Sequence, residues 1–132
     1  MSKTCILIMM IFCHIIDDYV LQGKLADLKQ REWWKVNAPK KKYKNDYKVA
    51  LLCHGLEWST MIMLPIIVQQ NFNVGINFLI VWAAMGMIHA WIDDIKANHL
   101  DFNLIEDQSF HFIQIALVFG WYYVSLSTFG TF

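Results

Sequence analysis

Four long apolar segments constrain the fold of this chain more than any other feature of its sequence. Each has about the 17–25 residues that a helix needs to cross a hydrocarbon core of roughly 30 Å. A soluble helical bundle is the alternative, but runs such as FLIVWAAMGM and IALVFGWYYV leave no solvated stripe along the helix. The sequence predicts an all-α, polytopic integral membrane protein. We expect one four-transmembrane-helix bundle over residues 1–132, with spans at about 5–21, 49–69, 74–95 and 109–130.

The distribution of charge predicts the orientation of the bundle. The chain has 11 basic and 11 acidic residues, a balance that excludes a broadly basic nucleic-acid-binding protein. Nine of the 11 basic residues lie between the first two spans, in residues 22–48. Because loops rich in lysine and arginine stay in the cytoplasm, this basic loop is predicted to be cytoplasmic and both termini to lie outside. We expect its lysines to contact the anionic headgroups of the lipid bilayer, and we expect no nucleic acid.

Histidines and carboxylates recur inside the predicted spans at helical spacing. Three spans carry one histidine and one aspartate four residues apart: His14 with Asp18, His89 with Asp93, and Asp107 with His111. Residues at i and i+4 share a helix face, so each pair points to the same neighbour. The second span adds His54, followed three residues later by Glu57. Ionisable groups are costly to bury in a membrane, and each is therefore a candidate functional residue.

These side chains also share a depth in the predicted membrane. Counted at 1.5 Å per residue from the predicted cytoplasmic helix ends, they fall roughly 0–12 Å below that surface. Imidazole and carboxylate groups suit zinc, manganese or iron, so we predict one or two divalent metal ions. A structural layer of hydrogen-bonded His–Asp pairs is the alternative, and the doubled Asp17–Asp18 and Asp93–Asp94 leave the ligating aspartate open. The predicted metal ligands are His14, Asp18, His54, His89, Asp93, Asp107 and His111.

Four ordered sequence blocks around these residues carry a resemblance to a known family. They read His14-x-x-x-Asp18-Tyr19-x-Leu21-Gln22 followed by Lys24, Leu51-Leu52-x-His54, His89-x-x-Ile92-Asp93-x-x-Lys96, and Asp107-Gln108-x-x-His111. In these blocks the chain resembles the small membrane-protein family catalogued as domain of unknown function 3307, found in bacteria and phages. The resemblance covers most of the chain and implies a shared topology and the bacterial inner membrane. It implies no established activity.

More distantly, the chain resembles the inner-membrane metal-dependent hydrolases, which also set histidine and aspartate on short membrane helices. The resulting hypothesis is a metal-dependent hydrolase at the cytoplasmic leaflet, acting on a phosphoester or lipid headgroup. Asp17 or Glu57 would accept a proton, and Lys24 and Lys96 would steady an anionic substrate. Two other functions stay open: a small proton or metal transporter or channel, and a membrane-anchored partner-binding protein with a structural His/Asp layer. Assembly into a homo-oligomer also stays open.

Overall fold

The computed structural model describes residues 1–99 and 101–129, and these residues form helices and loops without a β-strand. The α-helices are α1 (Lys3–Ile16), α2 (Leu25–Leu28), α3 (Arg31–Asn37), α4 (Asp46–Gln69), α5 (Ile76–Asp94) and α6 (Leu104–Phe129). A π-helical turn extends α1 through Asp17–Leu21, and another extends α5 through Ile95–His99.

Four of these helical stretches are long and apolar enough to cross a membrane: Lys3–Leu21, Lys41–Gln69, Ile76–His99 and Leu104–Ser127. The predicted all-α architecture with four such helices is therefore confirmed. The last helix begins at Leu104 rather than at the predicted residue 109. Its first turn is capped by the Asn103 side chain, which accepts hydrogen bonds from the amides of Ile105 and Glu106 at 2.8 and 3.0 Å. The predicted end of this span, Gly130, lies outside the described residues.

Apolar side chains fill the centre of the bundle and also cover its outside. The central core comprises Ile6, Met10, Trp58, Ile62, Met63, Ile66, Phe78, Ile115, Val118 and Tyr122. On the outside, Ile80, Trp91 and Leu117 are each more than half exposed, at 60%, 65% and 57%. Helices that are apolar on every side suit a lipid environment, because only their few polar side chains must be kept away from the lipid.

Two glycines allow α4 and α5 to pack closely together. A Cβ atom built on Gly55 would lie only 2.2 Å from the carbonyl oxygen of Gly86, and one on Gly86 would lie 3.1 Å from that of Gly55. Small residues permit such close backbone approach between membrane helices. His54 adjoins Gly55, and His89 lies one turn beyond Gly86. The glycine contact therefore holds the backbones of the two histidines close together.

The basic loop folds back over one end of the bundle. The Asn98 side chain, in the second π-helical turn, accepts a hydrogen bond from the Arg31 amide at 2.6 Å and donates one to the Lys29 carbonyl at 3.0 Å. The Arg31 guanidinium also donates to the Tyr47 hydroxyl at 3.1 Å. These contacts tie the segment between α2 and α3 to α5 and α4. They place Lys29 above the polar end of the bundle.

Candidate metal centre

The four long helices bring histidines and aspartates together at this same end of the bundle. We call the following residues the His/Asp cluster: Asp17, Asp18, His54, His89, Asp93, Asp107 and His111. Each of these side chains is at most 9% exposed. The π-helical turn after α1 supplies both neighbouring aspartates, Asp17 and Asp18, and such turns are frequent at functional sites. The i, i+4 spacing of the sequence thus leads to one shared cluster rather than to separate pairs.

The nitrogen and oxygen atoms of the cluster lie at the separations expected for atoms that share a cation. The Nε2 atom of His54 is 3.3 Å from His89 Nε2 and 3.4 Å from Asp93 Oδ2. His111 Nε2 is 3.5 Å from Asp107 Oδ1 and 3.6 Å from Asp93 Oδ1. Two ligands at about 2.0–2.1 Å from a tetrahedral zinc ion lie about 3.3 Å apart. The donor set and its spacing therefore fit a divalent metal.

The cluster divides into overlapping groups of three residues whose ligand atoms lie within 4.8 Å of one another. These groups are Asp18–His89–His111, His54–His89–Asp93, Asp17–Asp18–His54 and Asp93–Asp107–His111. The Asp18 carboxylate spans two histidines, with Oδ1 3.7 Å from His54 Nε2 and Oδ2 3.8 Å from His111 Nε2. Asp93 likewise faces both histidines. The arrangement suits one ion, or two adjacent ions bridged by carboxylates.

The doubled aspartates differ in what they contact. Asp93 points into the cluster, whereas Asp94 accepts a hydrogen bond from Asn98 Nδ2 at 2.6 Å and faces His99 at 3.9 Å. Asp17 and Asp18 both lie in the cluster. Asp17 Oδ2 is 3.9 Å from His54 Nδ1, on the opposite side of that ring from Nε2. Asp93 rather than Asp94 is therefore placed to bind metal, and Asp17 lies beside the His54 ring without a hydrogen bond to it.

Several buried polar atoms of the cluster have no hydrogen-bond partner among the described residues. They are both carboxylate oxygens of Asp17, Oδ1 of Asp18 and Asp107, and Nδ1 of His54, His89 and His111. A buried polar group without a partner costs about 1–3 kcal/mol. An ion and its bound water would recover part of this cost. The unsatisfied atoms are therefore a second observation, independent of spacing, that fits a bound cation.

The balance of charge in the cluster also favours a cation. Two lysines reach it: Lys29 Nζ is 2.5 Å from Asp93 Oδ2, and Lys96 Nζ is 2.5 Å from Asp107 Oδ2. The cluster has four aspartates, so its carboxyl groups outnumber the two ammonium groups by two. One divalent ion would balance them. A second ion would be balanced if both ammonium groups turned to an anionic ligand.

His14 adjoins the cluster, but both of its ring nitrogens already have partners. The Trp58 indole, which can only donate, bonds to His14 Nδ1 at 2.9 Å. The proton of neutral His14 is then on Nε2, which donates to Gln108 Oε1 at 3.1 Å. The Gln108 amide in turn donates to Asp18 Oδ2 at 3.1 Å and Asp107 Oδ2 at 3.2 Å. This chain of hydrogen bonds runs from Trp58 through His14 and Gln108 to two carboxylates, and it occupies both ring nitrogens of His14, which was predicted as a metal ligand.

A cavity of about 70 Å³ opens beside the cluster. It is lined by Asp18, Tyr19, Gln22, Lys29, Asp93, Lys96, Leu104, Asp107, Gln108 and His111. One water molecule needs about 10–15 Å³ of such space, so the cavity is large enough for a few waters or a phosphate-sized group. Of the residues predicted to be catalytic, Lys96 alone lines this cavity. Asp17 is buried behind it, Glu57 is half-buried, and Lys24 is exposed on the loop.

One contributor to the site, Lys29, was missed by sequence reasoning. Lys29 was one of nine basic residues in the loop, and nothing in the sequence set it apart. Gln22 and Gln108 belong to the sequence blocks quoted above, although those blocks assigned no role to either side chain. The Gln22 amide donates to the lone pair of His54 Nε2 at 2.9 Å, so this amide must turn aside before that nitrogen can bind a metal.

Comparison with known proteins gives a family and no function. Residues 6–131 match the family described as "Protein of unknown function (DUF3307)". The chain belongs to this family. The match confirms the resemblance in the four sequence blocks, since it extends over all of them. No curated protein and no solved structure matches the chain.

Proposed function

We propose that this member of the DUF3307 family is a divalent-metal-dependent hydrolase that acts on a phosphate ester at the surface of the bacterial inner membrane. One observation carries the proposal: a buried His/Asp cluster at metal-ligand spacing lies beside a small cavity that two lysines also line. The lysine-rich loop over this cavity supports a cytoplasmic position. The volume supports the phosphate end of a larger molecule, including a lipid headgroup, as the part that enters.

In this proposal zinc, manganese or iron would be held by His54, His89 and His111 together with Asp93 and Asp107. When bound, the metal supplies an activated water and polarises a phosphoryl oxygen. Asp18 lines the cavity and has a glutamine rather than a lysine as its neighbour in the described residues. We therefore assign Asp18 the role of accepting the proton from water. His14 keeps Asp18 and Asp107 oriented through Gln108.

The two cavity-lining lysines are assigned to the anionic substrate. The Lys96 side chain is 36% exposed, so its ammonium can reach both Asp107 and a group that enters from outside. Lys29 has 12% exposure and lies across the cavity on the loop. Fixed positive charges placed where phosphoryl oxygens bind stabilise the charge that develops during transfer. Lys29 takes the position for which the sequence had suggested Lys24.

The two alternative functions find less support. A transporter needs polar groups along its whole path, but Met10, Ile62 and Ile115 close the bundle below the cluster, each at most 1% exposed. Beyond His111 on α6, Gln114 is the one buried side-chain amide within residues 104–127, so this helix offers few polar groups along a path across the bundle. A partner-binding protein would have no need of unsatisfied buried carboxylates. Flux of metal or protons through proteoliposomes would favour the first alternative over hydrolysis.

The test is metal-dependent hydrolysis by detergent-purified protein. Phosphate release from para-nitrophenyl phosphate and from phosphatidic acid is measured after chelation and again after zinc or manganese is returned. We expect activity that is lost with the metal and restored by it. Lys96→Ala should lower turnover about tenfold or more, while Lys48→Ala, which changes an exposed lysine of α4 outside the cavity, should not change it. Bound metal without hydrolysis of either ester would refute the enzyme and leave the metal centre standing.

A further inference from the structure

A second cavity, of about 260 Å³, lies within the basic loop between α3 and the turn that leads into α4. It shares no lining residue with the cavity beside the His/Asp cluster. Its walls are the rings of Trp34 and Tyr43, which stack with centroids 6.3 Å apart and planes 28° apart, together with Pro39. The Trp34 indole donates to the Leu28 carbonyl at 2.6 Å, which fixes the ring. We call this cavity the loop groove.

The edge of the loop groove is entirely cationic. Its charged lining residues are Arg31, Lys35, Lys40, Lys41 and Lys44, and no acidic residue of the described chain lines it. Lys35 is bonded to Glu32 at the surface. Lys40, Lys41 and Lys44 are exposed, and none forms an ion pair with a carboxylate of the described residues. Three ammonium groups thus surround an aromatic and aliphatic floor without a protein anion to balance them.

The position of the loop groove indicates what fills it. The helical stretch that is apolar enough to cross a membrane begins at Lys41, one of the groove's own residues. The groove lies on the loop just before α4, so it would face the lipid headgroups if that helix crosses the membrane. Lysine stems pack along apolar surface while their ammonium groups reach towards charge. An apolar floor with a cationic edge complements a molecule that has an anionic phosphate joined to an apolar body.

We propose that the loop groove binds the headgroup of one anionic phospholipid. The phosphate lies among Lys40, Lys41 and Lys44, and the glycerol and first methylenes lie against Trp34 and Tyr43. This is a defined site of one lipid, unlike the diffuse attraction of a basic loop to a charged bilayer. It is independent of the metal centre. Because Arg31 is bonded to Asn98 and Tyr47, the bound lipid would also hold the loop that carries Lys29.

The test compares two double variants that remove the same charge from the same loop. Lys40→Gln with Lys44→Gln changes the groove, and Lys24→Gln with Lys48→Gln changes lysines that neither line it nor contact its rings. Binding of phosphatidylglycerol and of phosphatidylcholine to detergent-purified protein is measured by native mass spectrometry and by titration. All four positions are exposed, so both variants should fold as wild type does.

We expect wild type to bind one phosphatidylglycerol in preference to phosphatidylcholine. The groove variant should bind it about tenfold or more weakly, since each hydrogen bond lost between an ammonium group and the phosphate is worth on the order of 1 kcal/mol or more. The affinity of the control variant should stay within about threefold of the wild-type affinity, because salt screens the attraction of lysines that do not touch the lipid. Equal losses in both variants would show diffuse attraction and overturn the site. Equal competition by soluble glycerol phosphate would overturn the lipid and indicate a small-anion site.

Discussion

Replacing Gly55 by alanine tests whether the α4–α5 contact sets the geometry of the metal centre. The new Cβ atom would lie 2.2 Å from the Gly86 carbonyl oxygen, and real Cβ contacts essentially never fall below 3.0 Å, so the helices must separate by about 0.8 Å. The 3.3 Å between His54 and His89 would then grow to about 4 Å. We expect metal affinity to fall about 10–100-fold although no ligand is altered. The overpacking should also cost about 1–3 kcal/mol of stability.

Two further glycines make this prediction a graded series. The new Cβ atom of Gly86→Ala would lie 2.9 Å from the flexible Leu56 Cδ2 atom and 3.1 Å from the Gly55 carbonyl oxygen, so metal affinity should fall less than in Gly55→Ala. Gly120→Ala, inside α6, meets nothing within 4 Å and should bind metal as wild type does, with a gain of about 1 kcal/mol in helix stability. Zinc affinity from competition with a chromogenic chelator, together with thermal unfolding, measures the series. Wild-type affinity in Gly55→Ala would refute the reasoning.

Three more perturbations examine other parts of the account. Trp58→Phe removes the donor to His14 and should lower zinc affinity about tenfold with the ligands intact; an unchanged affinity in a chelator competition would rule out the orienting chain. Lys29→Ala leaves the Asp93 carboxylate without its ammonium, so the metal-free protein should melt lower and gain more from added zinc than wild type does; equal gains would contradict this charge balance. A reporter fused after Lys42 should be cytoplasmic, and an external signal would reverse the orientation.

The sequence was sufficient to predict the convergence of histidines and aspartates because helical geometry is periodic. His89 and Asp93 share a helix face because they are four residues apart. Their depth in the bundle then followed from the number of residues between them and the end of the helix. The start of the last helix was placed late because Asp107 and Gln108 lower the local hydropathy. In the structure these polar residues lie inside the helix and face the cluster rather than the lipid.

What the sequence did not reveal depends on contacts between distant segments. His14 and His89 have the same spacing to an aspartate, and only the Trp58 hydrogen bond distinguishes an orienting residue from a candidate ligand. Lys29 reaches Asp93 because Asn98 bonds to the loop backbone on both sides of Gln30, an arrangement that no local pattern encodes. Long-range bonds of this kind decided which lysine entered the site.

The metal content of the purified protein tests the central claim most directly. Wild type and His89→Ala, purified in detergent with zinc or manganese supplied, are compared by elemental analysis alongside their thermal unfolding. Wild type should hold one or two ions per chain, and His89→Ala should hold far less, because α5 has no spare histidine or cysteine within reach of the cluster in residues 76–94. Wild-type protein that is folded yet free of metal would contradict the account and leave the His/Asp cluster as a polar packing layer.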